Sequence, residues 1–309
     1  MTSKHAALAL ALASGCATGP AVSRPLDEDL LAILPADAEL VMDFDLAQIR
    51  GWHLGNEVKE LVYQRLPIPA ALRDKLWESD QIVVAVRGLA QWSSARVVWV
   101  GKGESPLPPP PAGATGLRTR AQLGEFAVVR LGARLWAGGP ADEVDKVVDR
   151  IDRHVLAGPG ELLREILQLA PSGKYGRPAV RAAARLPGEL SGRLAEVLPA
   201  IAATDDIALA FAVADGFDLG LVLRMRSAAD ARAGTERLRR DLQGLVDRPL
   251  VSLLGLGPLL DPLRTGAKDH DMHVAYRLPR RAAEAFVERC KSLLRLIEGV
   301  LQQAKEGQT

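Results

Sequence analysis

The sequence has few cysteines and almost no net charge. Its 309 residues include two cysteines, and 39 Lys and Arg balance 38 Asp and Glu to leave a net charge of +1. Two cysteines exclude a disulfide framework as the source of stability. The balanced charge lacks the basic footprint of a nucleic-acid-binding domain, so we expect no nucleic acid partner. The 48% hydrophobic content is typical of a globular protein with a sizeable core.

Easily recognised catalytic motifs are missing as well. The chain has no G-x-S-x-G nucleophile elbow, no H-E-x-x-H zinc motif, no C-x-x-C pair and no P-loop. Gly255 and Gly257 lack the third glycine of a dinucleotide-binding turn and are followed by Pro258. We therefore expect no cofactor, predict no catalytic residue, and favour a protein that is not an enzyme.

The N-terminal segment has the form of a signal peptide. Lys4 precedes eight apolar residues at 6–13, a run too short for a bilayer, which takes about 20 residues. The following Ala-Ser-Gly-Cys at 13–16 resembles the lipobox of bacterial lipoproteins. That resemblance implies cleavage between Gly15 and Cys16 and attachment of fatty-acyl chains such as palmitate to Cys16. The alternatives are conventional cleavage near Ala17 or a cytoplasmic chain with an apolar leader.

Lipidation would place the protein in the bacterial cell envelope. One acyl chain binds a membrane only marginally, whereas the several chains of a lipoprotein hold it durably. Ala17, rather than Asp, follows the cysteine. By resemblance to enterobacterial sorting, this favours the outer membrane, with the protein facing the periplasm. The membrane, reached through the N-terminal lipid, is then its first partner.

The chain divides into a leader and two folded halves. We predict a signal peptide at 1–15, a lipidated cysteine and tether at 16–26, a first α+β half at 27–158 and a second at 159–309. In the first half, Leu40, Met42 and Phe44 alternate as on one face of a strand. Helices are expected at 47–66 and 69–78 and from Pro140, and strands at 81–87, 96–101, 117–120, 126–130 and 134–137.

The second half has clearer boundaries between its elements. Alternating strands flank an Asp215-Gly216 hairpin turn, and Ser227 with Asp230 forms a helix start of the capping-box type. The full expectation is a strand at 179–186, a helix at 189–202 broken at Pro199, the hairpin, a helix to Val246, a connection at 248–266, a strand at 271–277 and a helix at 279–304. This β-α-β-β-α-β-α order predicts a ferredoxin-like half. We expect antiparallel or mixed sheets with helices on one face, and leave open whether the halves share a sheet.

Two short segments carry a family resemblance. Residues 34–41, LPADAELV, followed by Asp45-Leu46, and the turn at 214–216 are similar to those of uncharacterised bacterial envelope lipoproteins. These motifs mark turns and strands in the fold, so the resemblance implies an envelope location and no particular activity.

Two pairs of polar residues are weak candidates for chemistry. Asp271 and His273 lie two apart in a predicted strand and would face the same way, as oxygen and imidazole ligands of a metal could. A solvated strand entry is the alternative, since no third ligand is evident. Asp43 and Asp45 could pair as acid and base. They lie opposite the apolar residues of their strand, however, and Asp45 could instead cap the next helix.

The tryptophans and the second cysteine have both structural and functional interpretations. All five tryptophans lie in the first half, where they could line a ligand groove or fill a core; they are Trp52, Trp77, Trp92, Trp99 and Trp136. Cys290 falls on a helical apolar stripe with Phe286 and Leu294, which favours a packing role over a catalytic one.

The sequence thus favours a lipid-anchored envelope protein that binds a protein partner or an apolar ligand. One alternative is an envelope metal-dependent hydrolase that uses Asp271 and His273. Another is a carrier of lipid or lipoprotein.

Overall fold

In the computed structural model, the described residues form one sheet of eleven antiparallel strands with helices packed against it. The structure describes residues 28–61, 70–104, 107, 118–155, 158–160, 163–164, 167, 178–214, 216–246, 262–289 and 291. The strands are β1 (Leu40–Asp45), β2 (Gln81–Arg87), β3 (Arg96–Lys102), β4 (Arg120–Leu123), β5 (Phe126–Arg130), β6 (Leu135–Pro140), β7 (Pro178–Arg185), β8 (Thr204–Ala214), β9 (Gly216–Met225), β10 (Arg264–Lys268) and β11 (Asp271–Pro279).

Helices connect many of these strands. They are α1 (Glu28–Ile33), α2 (Leu46–Arg50), α3 (Gly55–Leu61), α4 (Ala70–Glu78), α5 (Ala141–Asp152), α6 (Gly188–Val197), α7 (Ala228–Val246) and α8 (280–289), with 3-10 turns at Leu89–Ser94 and Pro199–Ile201. The helix expected at 47–66 is interrupted between α2 and α3. Gly55, the first residue of α3, lies against the backbone carbonyl of Ile49, and a side chain at this position would clash with it.

The strand order across the sheet is β10-β11-β9-β8-β7-β1-β2-β3-β6-β5-β4. The mixed α+β class and the antiparallel pairing are therefore confirmed. The two halves share this sheet, because β1 pairs with β7, as in the pair Met42 and Ala182.

The ferredoxin-like prediction for the second half is not confirmed and needs correction. In a ferredoxin-like sheet, the first two strands are joined by a helix and lie parallel, with the third strand between them. Here β7 pairs directly with β8 in an antiparallel manner, and β9, β11 and β10 follow in turn, so no strand separates the two that α6 joins. The order of elements along the chain did not specify which strands would pair. The strand β10 also lies partly within the segment expected to be a connection.

The expectation of helices on one face is wrong as well. Successive residues of a strand point to opposite faces of a sheet. Ile82 and Trp99 pack in one core with residues of α2 and α4, whereas Val83 packs in another with Leu30 of α1 and Val144 of α5. Helices thus cover both faces. We call the side with Trp99 the tryptophan face and the side with Val83 the opposite face.

Candidate functional site

A row of alternating charges crosses one end of the second half of the sheet. Cross-strand register places Arg185 beside Asp206, Asp206 beside Arg224, Arg224 beside Asp271, and Asp271 beside Lys268. Residues paired across strands share a face, so all five side chains belong to the opposite face. We call this row the charge ladder. Opposite charges in register favour this alignment of the strands.

The carboxylates of the ladder are ion-paired. Arg224 Nε lies 3.2 Å from Asp271 Oδ1, and Arg185 Nε lies 3.5 Å from Asp206 Oδ1. The Asp206 side chain is only 7% exposed. Burial raises the pKa of the Asp206 carboxyl above its ordinary value, and the neighbouring Arg185 and Arg224 oppose that effect. Each carboxylate of the ladder is therefore compensated by an arginine, and Lys268 leaves the row with one excess positive charge.

A cleft of about 390 Å³ lies at the end of the ladder. The two-residue turn Asp269-His270 between β10 and β11 forms one side, and Asp269 has the left-handed φ of 52°. The turn is held to β9 because the Met225 amide donates to the His270 carbonyl over 2.8 Å. The lining residues are Asp205, Asp206, Arg224, Met225, Arg226, Asp269, His270 and Asp271. Both charge signs meet there, and Arg226 Nε donates to Asp205 Oδ1 at 3.3 Å.

The proposed metal ligands Asp271 and His273 do lie on one face, as their spacing predicted. Asp271 is beside Arg224 and ion-paired with it, whereas His273 is beside Val222 and Gly266. His273 does not line the cleft. Within the residues that the structure describes, no three His, Cys, Asp or Glu side chains are grouped to hold a metal ion.

Asp43 and Asp45 have structural partners. Gln81 Nε2 donates to Asp43 Oδ1 over 2.8 Å. Asp45 caps α2, since its Oδ1 accepts from the Gln48 amide at 2.9 Å. This confirms the capping interpretation of Asp45.

The tryptophans fill a core. Trp52, Trp77, Trp99 and Trp136 are all at most 7% exposed and pack in one cluster on the tryptophan face; the side chain of Trp92 lies outside the described residues. Trp99 is paired across strands with Gly138, and Trp136 with Gly101. Each indole occupies the space above the glycine opposite it. A Cβ on Gly138 would lie 2.3 Å from Trp99 Nε1, and one on Gly101 would lie 1.9 Å from the Trp136 ring.

Several predicted positions lie outside the described residues. These are Gly15 and Cys16, the whole leader and tether to residue 26, and Cys290. No helix in the part of the chain that the structure describes is long and apolar enough to cross a membrane.

Sequence reasoning missed Arg224 as the neighbour of Asp271, and Asp206 as the neighbour of Arg224. One signal was present: each is a charged residue near the end of an alternating strand, on the side away from the large apolar residues. Finding the ladder required the register of four strand pairs, which residue spacing within one strand does not contain.

Comparisons with known proteins give a fold likeness only. No family model matches the chain, and no curated protein matches it. Solved structures of TP0453 in crystal forms I, III and IV are similar to 84% of this chain and to 97%, 98% and 96% of theirs. Their TM-scores are 0.48, 0.48 and 0.46, at 10%, 10% and 11% identity.

Proposed function

We propose that this chain is a lipid-anchored protein of the bacterial envelope that acts as an interaction module. The observation that carries the anchoring is the leader, in which eight apolar residues run into Ala-Ser-Gly-Cys at 13–16. The acyl chains on Cys16 would hold the body at the surface of the outer membrane, facing the periplasm. The segment 17–26 would serve as the tether.

The polar sites support a binding role over catalysis. A general acid or base needs a carboxyl or imidazole available to a substrate. Instead, Asp271 is held by Arg224 and Asp43 by Gln81. The metal-dependent hydrolase has no supporting observation among the described residues, and we do not propose it.

Fatty-acid labelling in cells tests the anchor. Cells given a labelled fatty acid should incorporate it into the wild-type protein and into a Cys290→Ser variant, but not into Cys16→Ser. The wild-type protein should sediment with outer membranes, and Cys16→Ser should not. A wild-type protein without label, or a Cys16→Ser protein that keeps it, would contradict the proposal.

A carrier of lipid or lipoprotein is the second candidate, and one observation favours it. The indole N–H groups of Trp52, Trp99 and Trp136 are buried, with no hydrogen-bond partner within the described residues. Buried donors without acceptors cost free energy, so a bound molecule with ester or carboxylate oxygens would stabilise them. Mass spectrometry of lipid extracted from protein purified without detergent tests this. Stoichiometric lipid that changes tryptophan emission when added back supports a carrier, and the absence of such lipid contradicts one.

A further inference from the structure

The middle of the tryptophan face carries a continuous row of apolar side chains. Its members are paired in register from β3 to β9; they are Trp99, Val84, Met42, Ala182, Leu209 and Leu221. We call this the apolar row. On the same six strands, the residues two positions to either side are apolar or glycine as well. A band three rows deep across these strands therefore contains no charged side chain.

Helices pack at both ends of this band but leave the apolar row partly open. One core cluster, which includes residues of α2, α4 and α8, packs against Val84 and Leu221. A second cluster, with residues of α7, also contacts Leu221, and a third contacts Val84. Four members of the row stay partly exposed between these clusters: Met42, Val84, Ala182 and Leu221. Apolar side chains that remain accessible in the middle of a covered sheet face are typical of a ligand site.

Two indole N–H groups lie at the β3 end of the apolar row. Trp99 is the first member of the row, and the ring of Trp136 lies over Gly101, two residues along β3. Both indole nitrogens are buried, with no hydrogen-bond partner within the described residues. A buried donor without an acceptor costs free energy, so an acceptor oxygen at this end would be stabilising. The row is thus an apolar floor that ends at two donors.

We propose that the apolar row binds the acyl chain of an ester lipid, with the ester carbonyl oxygen at Trp99 and Trp136. Val84 and Leu221 lie four strand spacings apart, or about 19 Å. An acyl chain spans half of a bilayer's hydrocarbon, or about 15 Å, so one chain fits along the row. The inference rests on the carrier candidate, because it names the site and the ligand class of that role.

The chemistry of the row favours an ester lipid over other occupants. The band holds no cation to pair with the carboxylate of a free fatty acid. Arg130 on β5, beside Trp136 in register, already donates to the Leu107 carbonyl over 2.7 Å. A helix from a protein partner engages its carbonyls in its own hydrogen bonds and would offer none to the indoles. An ester carbonyl is uncharged and keeps its lone pairs available.

Calorimetric titration with monolauroylglycerol, below the concentration at which it forms micelles, tests this site. Dodecylglycerol is the matched ligand, since it has an ether where the first ligand has an ester and therefore lacks the carbonyl. The full chain with Cys16→Ser keeps the test independent of lipidation. The ester should bind about 2–10-fold more tightly than the ether, as one added hydrogen bond provides. Trp99→Phe should reduce this preference, whereas Trp77→Phe, on α4, should retain it.

A matched pair of alanine variants locates the bound chain. Ala182→Phe fills the centre of the apolar row and should raise the Kd of the ester by at least about tenfold. The control is Ala275→Phe, at an exposed position on the opposite face of β11, which should change this Kd by less than about twofold. Circular dichroism in urea checks that both variants fold. If Ala182→Phe does not fold, the ester and ether affinities of the unsubstituted row still decide.

Three results would overturn the proposal: no saturable binding of the ester, equal affinities for the ester and the ether, or equal effects of Ala182→Phe and Ala275→Phe. Sedimentation of the ligand-free protein tests a second copy as the occupant. A dimer that Ala182→Phe abolishes, without ester binding, would assign the row to an interface instead. Copurified lipid that Ala182→Phe retains would keep the carrier role and overturn this site. Protein that purifies without lipid but binds the ester as expected would support the site and contradict the carrier.

Discussion

Trp99 lies against Gly138 on the neighbouring strand, and its indole nitrogen would be 2.3 Å from a Cβ at that position. Trp136 and Gly101 repeat the relationship two register positions along, with the roles of the two strands exchanged. Each glycine provides the space that a large ring on the partner strand fills. Four residues on β3 and β6 thus form one packing unit at the base of the tryptophan core.

The first prediction concerns this unit. Gly138→Ala and Gly101→Ala should each lower the free energy of unfolding by about 1–3 kcal/mol, because the added methyl group overlaps an indole ring. Urea unfolding followed by circular dichroism measures the change. The control is Gly192→Ala in α6, where an added Cβ would meet nothing within 4 Å. This substitution should raise the free energy of unfolding by about 0.5–1 kcal/mol, because alanine favours a helix over glycine. Equal effects of the three substitutions would show that the rings do not require the glycines.

The second prediction concerns a buried charge. Glu143 in α5 is 1% exposed and forms an ion pair with Arg87 of β2, and Lys146 Nζ lies 2.7 Å from its other oxygen. Arg87→Met should cost about 3–5 kcal/mol, because it takes one partner from a buried carboxylate. The double variant with Glu143→Leu should recover much of the loss in chemical denaturation.

Arg96→Met is the matched control for this pair. It breaks an exposed ion pair with Asp142 at 3.5 Å and should change stability by less than about 1 kcal/mol. A double variant no more stable than Arg87→Met alone would contradict the role given to the Glu143 charge.

The third prediction concerns pH and Asp206. Because burial raises the pKa of this carboxyl in the folded protein, ionised Asp206 lowers stability at neutral pH. Asp206→Asn removes the charge, so the variant should be more stable than the wild type at pH 7. That advantage should shrink as the pH falls through the folded-state pKa, where the wild-type carboxyl takes up a proton. Urea unfolding of both proteins at several pH values measures this difference in the free energy of unfolding.

Asp205→Asn provides the comparison for Asp206. Asp205 is exposed, as is its partner Arg226, so its replacement should have little effect at any pH. A stability difference between Asp206→Asn and the wild type that does not vary with pH would refute the explanation by burial.

The fourth prediction asks whether Asp45 stabilises the protein as a helix cap or through its negative charge. As the cap of α2, it should tolerate Asn, which keeps the acceptor oxygen, whereas Asp45→Ala should cost about 1 kcal/mol. The free energy of unfolding decides between them. If Asn were as damaging as Ala, the carboxylate charge rather than the cap would be the source of stability.

Local patterns predicted most elements of this fold. Alternation of apolar residues predicted β1, β8 and β9. The capping pair Ser227 and Asp230 predicted the start of α7, where the Asp230 amide donates to Ser227 Oγ at 3.1 Å. The strand β10 was missed because Arg264–Lys268 has none of the apolar alternation that identifies a half-buried strand. Its pairing with β11 compensates for a weak local preference.

The candidate site was predictable only in part. Asp271 was identified as a polar residue near the start of a strand. Its neighbour Arg224, and Asp206 beside Arg224, lie on strands distant in the sequence, and register alone brings the three into one row. Register depends on how whole strands align, so the charges that surround Asp271 could not be read from the residues near it.

The pairing of β1 with β7 has a consequence for solubility. Separated halves would each expose one of these strands as an open edge, with backbone donors and acceptors available to any other strand. Joined through that pair, the sheet has β10 and β4 at its margins within the residues that the structure describes. Both are short, and Arg264, Lys268 and Arg120 place charges along them. The fusion of the halves thus leaves β1 and β7 paired on both sides, so neither presents an open edge to another chain.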